Sequence, residues 1–231
     1  MKEKVKIMPS LIIIPLVISL FLFVNWANKS FPPPLIKISQ QQVAMNFNNR
    51  SLELFSMGKK RMISALLWVT TMLESDHDHY KNSDYNSWIF LRLKTITRLD
   101  PLFQEAYLYG GQYLSVIKDD DLGAQYIFDR GMDLVPENFY IKFYAGFHYY
   151  LELKDFKRAI SIFESIQDHP QMQQTMPNIK TFIARLYEKG GDYQTALMLL
   201  EQILRQPNLS PAIKQRLSKR VKQIHNKNPS L

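Results

Sequence analysis

The chain has 231 residues, of which 46% are hydrophobic and 22% charged, and its formal net charge at pH 7 is +8. These proportions exclude a disordered chain and one that lies mostly within a membrane, and they leave room for one folded domain with an anchor. Because the sequence contains no cysteine, a disulfide framework, a thiolate metal site and a cysteine nucleophile are excluded too.

The N-terminal region is typical of a membrane anchor. Residues 1–7 carry three lysines, and the run 11–24 that follows is apolar at all but two positions. Residues 8–27 number 20, about the length that crosses a bilayer. With lysines before the run and few after it, residues 1–7 are predicted to be cytoplasmic and the rest extracytoplasmic or periplasmic, at the inner (plasma) membrane. A cleaved signal peptide has a similar pattern, but Asn25-Trp26-Ala27 offers no clear pair of small residues, which favours an uncleaved single-pass anchor.

Residues 28–50 are predicted to be a linker. Pro32, Pro33 and Pro34 make it locally stiff and extended, and the region of the polar runs 40–42 and 46–49 has no periodic apolar stripe of any length. This segment would hold a folded domain, residues 51–209, away from the bilayer. That domain begins with two predicted helices, 51–75 and 85–99. The stripe expected along the first of them is Leu54, Met57, Arg61, Ala65, Trp68 and Met72.

A set of landmarks recurs in the domain. Three aspartates, Asp120, Asp155 and Asp192, each stand four residues before an alanine, and a large apolar residue follows each alanine by four. A proline ends each unit, and the landmarks repeat every 34 to 37 residues, which is the period of helix–turn–helix repeats. The remaining landmarks are Ala124, Ala159 and Ala196; Phe128, Phe163 and Leu200; and Pro136, Pro170 and Pro207.

The landmarks have physical roles. Each aspartate is expected to cap the second helix of a pair, and the alanine lets that helix approach the first one closely. The large residue lies on the same face, one turn later. Small residues, Gly111, Gly146 and Ala184, are expected in the first helices for the same close contact. The first two units carry one extra residue between this small residue and the alanine.

This combination resembles the tetratricopeptide repeat (TPR) over residues 101–208, and residues 51–99 resemble a divergent first unit. The segment 56–75, followed by Leu99-Asp100-Pro101, also resembles bacterial membrane-anchored repeat proteins. The resemblance implies an all-α fold: a right-handed α-solenoid of TPR-like helix hairpins, preceded by one transmembrane helix. The best matching positions are Ala184, Tyr187, Ala196, Leu200 and Pro207.

The same resemblance implies a concave groove, lined by the first helices, that binds a protein partner. Some family members clamp a partner's terminal carboxylate with a Lys/Asn arrangement. Leu108 and Gln112 stand at those positions here, so terminal-carboxylate capture is not expected. The side chains expected to point into the groove are Leu108, Gln112, Phe143, Phe147, Tyr150, Arg185 and Glu188.

Residues 210–226 are predicted to form a closing helix, followed by a tail, 227–231. Ser210 and Pro211 are a helix start signal. Ile213, Leu217 and Ile224 lie on one apolar stripe, and lysines and arginines occupy most of the rest. Such a helix covers the last repeat of a solenoid. Its basic face could also contact anionic lipid or an acidic partner.

Few residues suggest chemistry. Residues 76–79, Asp-His-Asp-His, are metal-ligand types that could converge on one ion, although a polar turn between two helices explains them as well. The acidic run 119–121 lacks the spacing of a calcium loop. The sequence has no phosphate-binding glycine loop, nucleophile elbow or HExxH motif. No catalytic residue, metal or cofactor is therefore expected.

The leading hypothesis is a membrane-anchored scaffold or adaptor, without catalysis, that holds a protein partner in an envelope assembly. One alternative is a metal-dependent or catalytic domain that uses residues 76–79. Another is a secreted soluble repeat protein, left after signal cleavage. A basic C-terminus acting on lipid or nucleic acid is a third. No nucleic-acid partner is expected, because no Arg/Gly-rich run or aromatic RNA-binding signature accompanies the charge.

Overall fold

The computed structural model describes residues 8–30, 52, 54, 56–75, 77–207 and 209–227. These residues form eleven α-helices and no β-strand, which confirms the all-α prediction. The predicted cytoplasmic segment 1–7, most of the linker 28–50, Asp76 and most of the tail lie outside the described residues. The chain separates into two compact units, Met1–Ser39 and Gln40–Leu231.

The first unit contains one long helix, α1, at Met8–Ser30. The large apolar side chains described between residues 14 and 24 are 48% to 70% exposed. Within the part of the chain that the structure describes, no helix has both the length and the apolar character that a membrane crossing requires. The crossing expected at residues 8–27 stays a prediction.

The second unit is a series of helix pairs; residues 75–87 form a long connection between its first two helices, and the later connections are shorter. The helices are α2 (Lys60–Glu74), α3 (Trp88–Leu99), α4 (Gln104–Gln112), α5 (Asp121–Leu134), α6 (Phe139–Leu151), α7 (Phe156–Ile166), α8 (Pro170–Thr175), α9 (Ile179–Lys189), α10 (Tyr193–Leu204) and α11 (Pro211–Lys227). Helix α4 is extended by a π-helical turn, Tyr113–Ile117.

The helices pack in chain order. Hairpins 1 to 4 are the packed pairs α2/α3, α4/α5, α6/α7 and α9/α10. The second helix of a hairpin also contacts the first helix of the next, as in α5 with α6 and α7 with α9, and α11 packs on α10. Each hairpin therefore covers the face that its neighbour leaves open.

The three aspartates cap helices as predicted. Asp120, Asp155 and Asp192 directly precede α5, α7 and α10, and each carboxylate accepts a hydrogen bond from the backbone N–H three residues on, at 2.9–3.0 Å. Each bond satisfies one of the free N–H groups at the start of a helix.

The predicted close contact between paired helices is also present. A Cβ added to Gly111 would lie 2.6 Å from the ring of Phe128, and one added to Gly146 would lie 2.7 Å from the ring of Phe163. The alanines that follow the capping aspartates are fully buried. Glycine in the first helix therefore makes room for the aromatic ring of the second.

The extra residue in hairpins 2 and 3 is absorbed at the end of the first helix. There the N–H of Lys118 bonds the carbonyl of Tyr113, and that of Leu153 bonds the carbonyl of His148. Both bonds span five residues rather than four, which widens the last turn. In hairpins 2 and 3 the N–H of the capping aspartate then bonds a carbonyl six residues back, whereas in hairpin 4, which lacks the extra residue, that bond spans five residues. In all three the residue before the capping aspartate has a positive φ, 53° at Asp119, 55° at Lys154 and 87° at Gly191.

Helix α2 corrects the sequence prediction in its start and its face. It begins at Lys60 rather than residue 51, after Met57 and Gly58 at positive φ. Leu54 and Met57 are more than 80% exposed, so the first part of the expected apolar stripe is wrong, whereas Trp68 is half-buried and packs on the core as expected. The buried positions are Ser64 and Thr71. Their hydroxyls donate to backbone carbonyls, Ser64 to Ile96 of α3 and Thr71 to its own helix, so that both can be buried without loss.

Two further boundaries differ. Helix α3 begins at Trp88, three residues later than predicted, because the Ser87 side chain caps it by accepting from the N–H of Phe90. Pro170 does not end a unit: it occupies the first turn of the short helix α8, which His169 caps. A missing N–H is tolerated at that position.

Among the residues that the structure describes, the buried apolar side chains form two clusters. The larger extends from Trp88 in α3 to Leu186 in α9. The smaller joins α9 and α10 to α11 through Leu200, Leu217 and Ile224. Helix α11 thus covers the last hairpin with its apolar stripe, although Ile213 at its start remains 40% exposed.

Candidate functional site

Half-buried aromatic side chains run along α6 and continue onto α9. Phe143 and Phe147 lie one turn apart on α6, with ring centroids at 5.0 Å. Phe182 of α9 lies 5.7 Å from Phe147 and 5.4 Å from Tyr150. We call these four residues, Phe143, Phe147, Tyr150 and Phe182, the aromatic row. Each packs on the core with one side and keeps part of its surface exposed.

The other predicted groove residues on α4 lie beside this row. Asn138 Nδ2 donates to Gln104 Oε1 at the start of α4 and α6, and the Ser115 hydroxyl meets His148 at their ends. The two first helices therefore run side by side in the same direction, and residues 108–112 lie between these two contacts. The side chain of Gln112 donates to the carbonyl of Leu108 at 3.1 Å, and both residues are half-buried.

Arg185 and Glu188 line a groove between α9 and α11 with a volume of about 560 Å³. We call it the α9–α11 groove. Phe182 belongs to both the groove and the aromatic row, so the two surfaces are continuous. The groove is lined by Met176, Asn178, Thr181, Phe182, Arg185, Glu188, Leu200, Ile213, Arg216, Leu217, Lys219, Arg220 and Gln223.

Glu188 is already engaged by the closing helix. Arg220 of α11 donates from Nε at 3.0 Å and from Nη2 at 2.8 Å to its two carboxylate oxygens. The Glu188 side chain is only 14% exposed. A planar two-bond contact of this kind fixes both side chains. Sequence reasoning assigned Glu188 to the groove but did not anticipate its partner, which lies 32 residues away.

Sequence reasoning also missed several exposed aromatics. Phe182 stands three residues before Arg185, so the helical spacing could have placed both on one face. Tyr109, Tyr140 and Tyr144 are 56%, 41% and 37% exposed on α4 and α6. The sequence does show that the first helices are unusually rich in aromatic residues. It has no pattern, however, that distinguishes the exposed rings from the buried ones.

His148 is a structural histidine. Its Nε2 faces the carbonyl oxygen of Asp121 at 3.1 Å, so this nitrogen carries the proton and Nδ1 accepts from the Ser115 hydroxyl at 2.8 Å. Burial lowers the pKa of His148 below its usual 6.5. The neutral ring thus joins hairpin 2 to hairpin 3, with both nitrogens occupied.

Two tyrosines join helices through carboxylates. The Tyr149 hydroxyl donates to Asp129 and that of Tyr187 to Glu164, both at 2.8 Å. Burial, with the neighbouring carboxylate, raises the pKa of each tyrosine to about 12. These hydroxyls stay protonated and act as donors.

The candidate metal loop at residues 76–79 has a different partner. Nδ1 of His79 lies 2.8 Å from the carboxylate of Asp119, on the surface. Across the described ranges, no three His, Cys, Asp or Glu side chains are placed to hold a metal ion. Asp76 lies outside those ranges.

Neither a protein-family model nor a curated protein matches this chain.

Proposed function

We propose that this chain is a scaffold or adaptor that binds a segment of a protein partner, without catalysis. Its hairpins would form a right-handed TPR-like solenoid with the first helices on the concave side. The observation that carries the proposal is the aromatic row, four half-exposed rings on adjacent first helices that continue into the α9–α11 groove.

A rigid aromatic surface favours binding. The aromatic row packs on Phe163, whose fully buried ring has its centroid 5.2 Å from that of Phe147 and 5.4 Å from that of Phe182. A partner would cover rings that are already fixed, and so would lose little side-chain entropy on the scaffold side. Truncating a central aromatic of such a surface commonly costs about 2 kcal/mol or more in binding.

The stacking of the hairpins supports the repeat interpretation. Hydrogen bonds join corresponding ends of helices in neighbouring hairpins, such as Ser87 with Asp120 and Ser115 with His148. The first bond joins the caps of two second helices, and the second joins the ends of two first helices. Regular translation from one hairpin to the next produces this pattern.

We further propose that residues 8–27 anchor the chain in the inner membrane by a single pass. Residues 1–7 would be cytoplasmic and the hairpins extracytoplasmic or periplasmic, where the partner would belong to an envelope assembly. The support is the lysine-flanked apolar run and the exposure of its side chains on α1. Cell fractionation with protease accessibility tests this topology: cleavage of the hairpins by external protease in intact spheroplasts is expected. Protection in intact spheroplasts would contradict it.

The scaffold proposal is tested by pull-down of the full-length protein from solubilised membranes. Replacing Phe147 and Tyr150 by alanine should remove partners that the wild-type protein retains in stoichiometric amounts. Met198→Ala is the matched control, because Met198 is 60% exposed on α10, outside the row. All three proteins are compared by circular dichroism and melting temperature. An unchanged partner set in a folded double variant would refute the role of the row.

A further inference from the structure

We infer that the α9–α11 groove binds an acidic polypeptide segment, one with at least two Asp or Glu side chains beside an apolar one. This inference rests on the proposed scaffold function and specifies the chemistry of the partner. The groove lies where the aromatic row meets the closing helix, so one segment could contact both surfaces.

The charges that line the groove are unequal. Four cations, Arg185, Arg216, Lys219 and Arg220, face one carboxylate, that of Glu188. Because Glu188 and Arg220 form an ion pair with each other, the other three cationic side chains remain available to a ligand. All three are exposed, and no carboxylate of the described residues lies within ion-pair distance of them.

The covering role of α11 does not require these cations. Leu217 and Ile224 make the buried contact with hairpin 4, and any polar residues would suit the remaining positions. Instead, Arg216, Lys219 and Arg220 line the groove toward α9. Helix α11 itself supplies no neutralising group, since no Asp or Glu follows Glu201 while seven Lys or Arg do. A concave surface with an excess of one sign of charge concentrates ligands of the opposite sign.

The apolar residues of the groove indicate a polypeptide. Phe182 and the 40%-exposed Ile213 lie among the cations. An acidic segment with one apolar side chain would cover these two while its carboxylates meet the arginines, which can bind carboxylates through two parallel bonds. A volume of about 560 Å³ admits a few side chains, which fits a peptide segment better than a nucleic-acid strand with its bulky bases and sugars.

Selection from a random peptide library tests the inference. Full-length protein in mild detergent is immobilised, and displayed 12-residue peptides are selected on it. Peptides enriched in Asp and Glu, with at least one apolar residue, are expected. Their affinity, measured by fluorescence polarisation with synthetic labelled peptides, should fall about tenfold or more in Arg185→Glu/Arg216→Glu, because two attractions become repulsions. Affinity should also fall as salt rises.

The matched control is Lys157→Glu/Lys81→Glu, which makes the same change in net charge at exposed positions outside the groove. Equal loss in both variants would refute a groove-specific site, as would enrichment of neutral or basic peptides, or none at all. Tighter, groove-dependent binding of single-stranded RNA or of phosphatidylglycerol vesicles would assign the groove to another class of ligand. If partners still depend on Phe147 and Tyr150 but not on Arg185 and Arg216, the scaffold proposal stands and this inference fails.

Discussion

The contact between Gly146 and Phe163 can be tested by adding a single methyl group. In Gly146→Ala the new Cβ would lie 2.7 Å from Cζ of Phe163 and 2.9 Å from both Cε atoms. The ring is fully buried, with Phe147 and Phe182 against it, so it cannot withdraw without moving its neighbours. Overpacking of this kind costs about 1–3 kcal/mol. Because the Phe163 ring cannot withdraw, the cost should lie at the upper end of that range, about 2–3 kcal/mol. The better helix propensity of alanine returns about 1 kcal/mol, which leaves an expected net loss of about 1–2 kcal/mol of unfolding free energy.

Hairpin 4 shows how the clash can be relieved. There Ala184 stands in place of the glycine, and Leu200 stands in place of the phenylalanine. Phe163→Leu alone should be destabilising, because it leaves space beside Gly146. The double variant Gly146→Ala/Phe163→Leu should be more stable than the sum of the two single effects predicts, by about 1 kcal/mol.

The measurement is urea unfolding followed by far-UV circular dichroism, with full-length protein in the same mild detergent throughout. Gly190→Ala serves as control, because a Cβ there meets nothing closer than 3.4 Å and the backbone is in the ordinary helical region. Its unfolding free energy should change by less than about 0.5 kcal/mol. A Gly146→Ala protein as stable as wild type, or strict additivity in the double variant, would refute the packing argument.

Three further predictions concern hydrogen bonds and backbone geometry. Because burial lowers the pKa of His148 below 6.5, its neutral form stabilises the fold above that pH, and this stability is lost as the pH falls through the folded-state pKa. Melting temperature should therefore drop between pH 7.5 and 5.5, and by less in His148→Gln; an equal drop would contradict this. Lys154 has φ +55°, so Lys154→Gly should raise the unfolding free energy, measured in urea, by about 0.5–1 kcal/mol. Gly191 has φ +87°, so Gly191→Ala should lower it by at least as much. A Lys154→Gly protein less stable than wild type would refute the reasoning. Asp120→Ala should lower the unfolding free energy by about 2–3 kcal/mol, because a cap is lost and buried donors are left unpaired. Asp192→Ala, which removes an exposed cap, should lower it by about 1 kcal/mol. Equal losses in the two variants would contradict the role of burial at Asp120.

The features that could be predicted from sequence are those that local physics decides. A capping aspartate acts on a backbone N–H three residues away, and a residue four positions after an alanine must share its face. For this reason Asp120, Asp155 and Asp192 could be assigned correctly. The position of Gly111 and Gly146 also followed, because each has a large partner at a fixed distance along the chain.

Other features depend on contacts that no local pattern encodes. The buried face of α2 contains Ser64 and Thr71, because their hydroxyls find carbonyl acceptors in the folded protein. Within the candidate site, Glu188 could be placed in the groove but not paired, since Arg220 lies on a helix whose stripe indicated only a covering role. The cationic character of the α9–α11 groove results from this same packing of two distant helices.

The polar bonds between hairpins have a consequence for how the protein opens. Ser87 with Asp120, and Ser115 with His148, tie hairpins 1 to 3 together within the larger core cluster. Helix α11 is held by the smaller cluster and by the Arg220–Glu188 contact. Fraying should therefore begin at the C-terminal end, where backbone amides would exchange with solvent before those of the central hairpins. Since α11 forms one wall of the α9–α11 groove, a ligand bound in the groove would stabilise α11 and slow the exchange of its backbone amides.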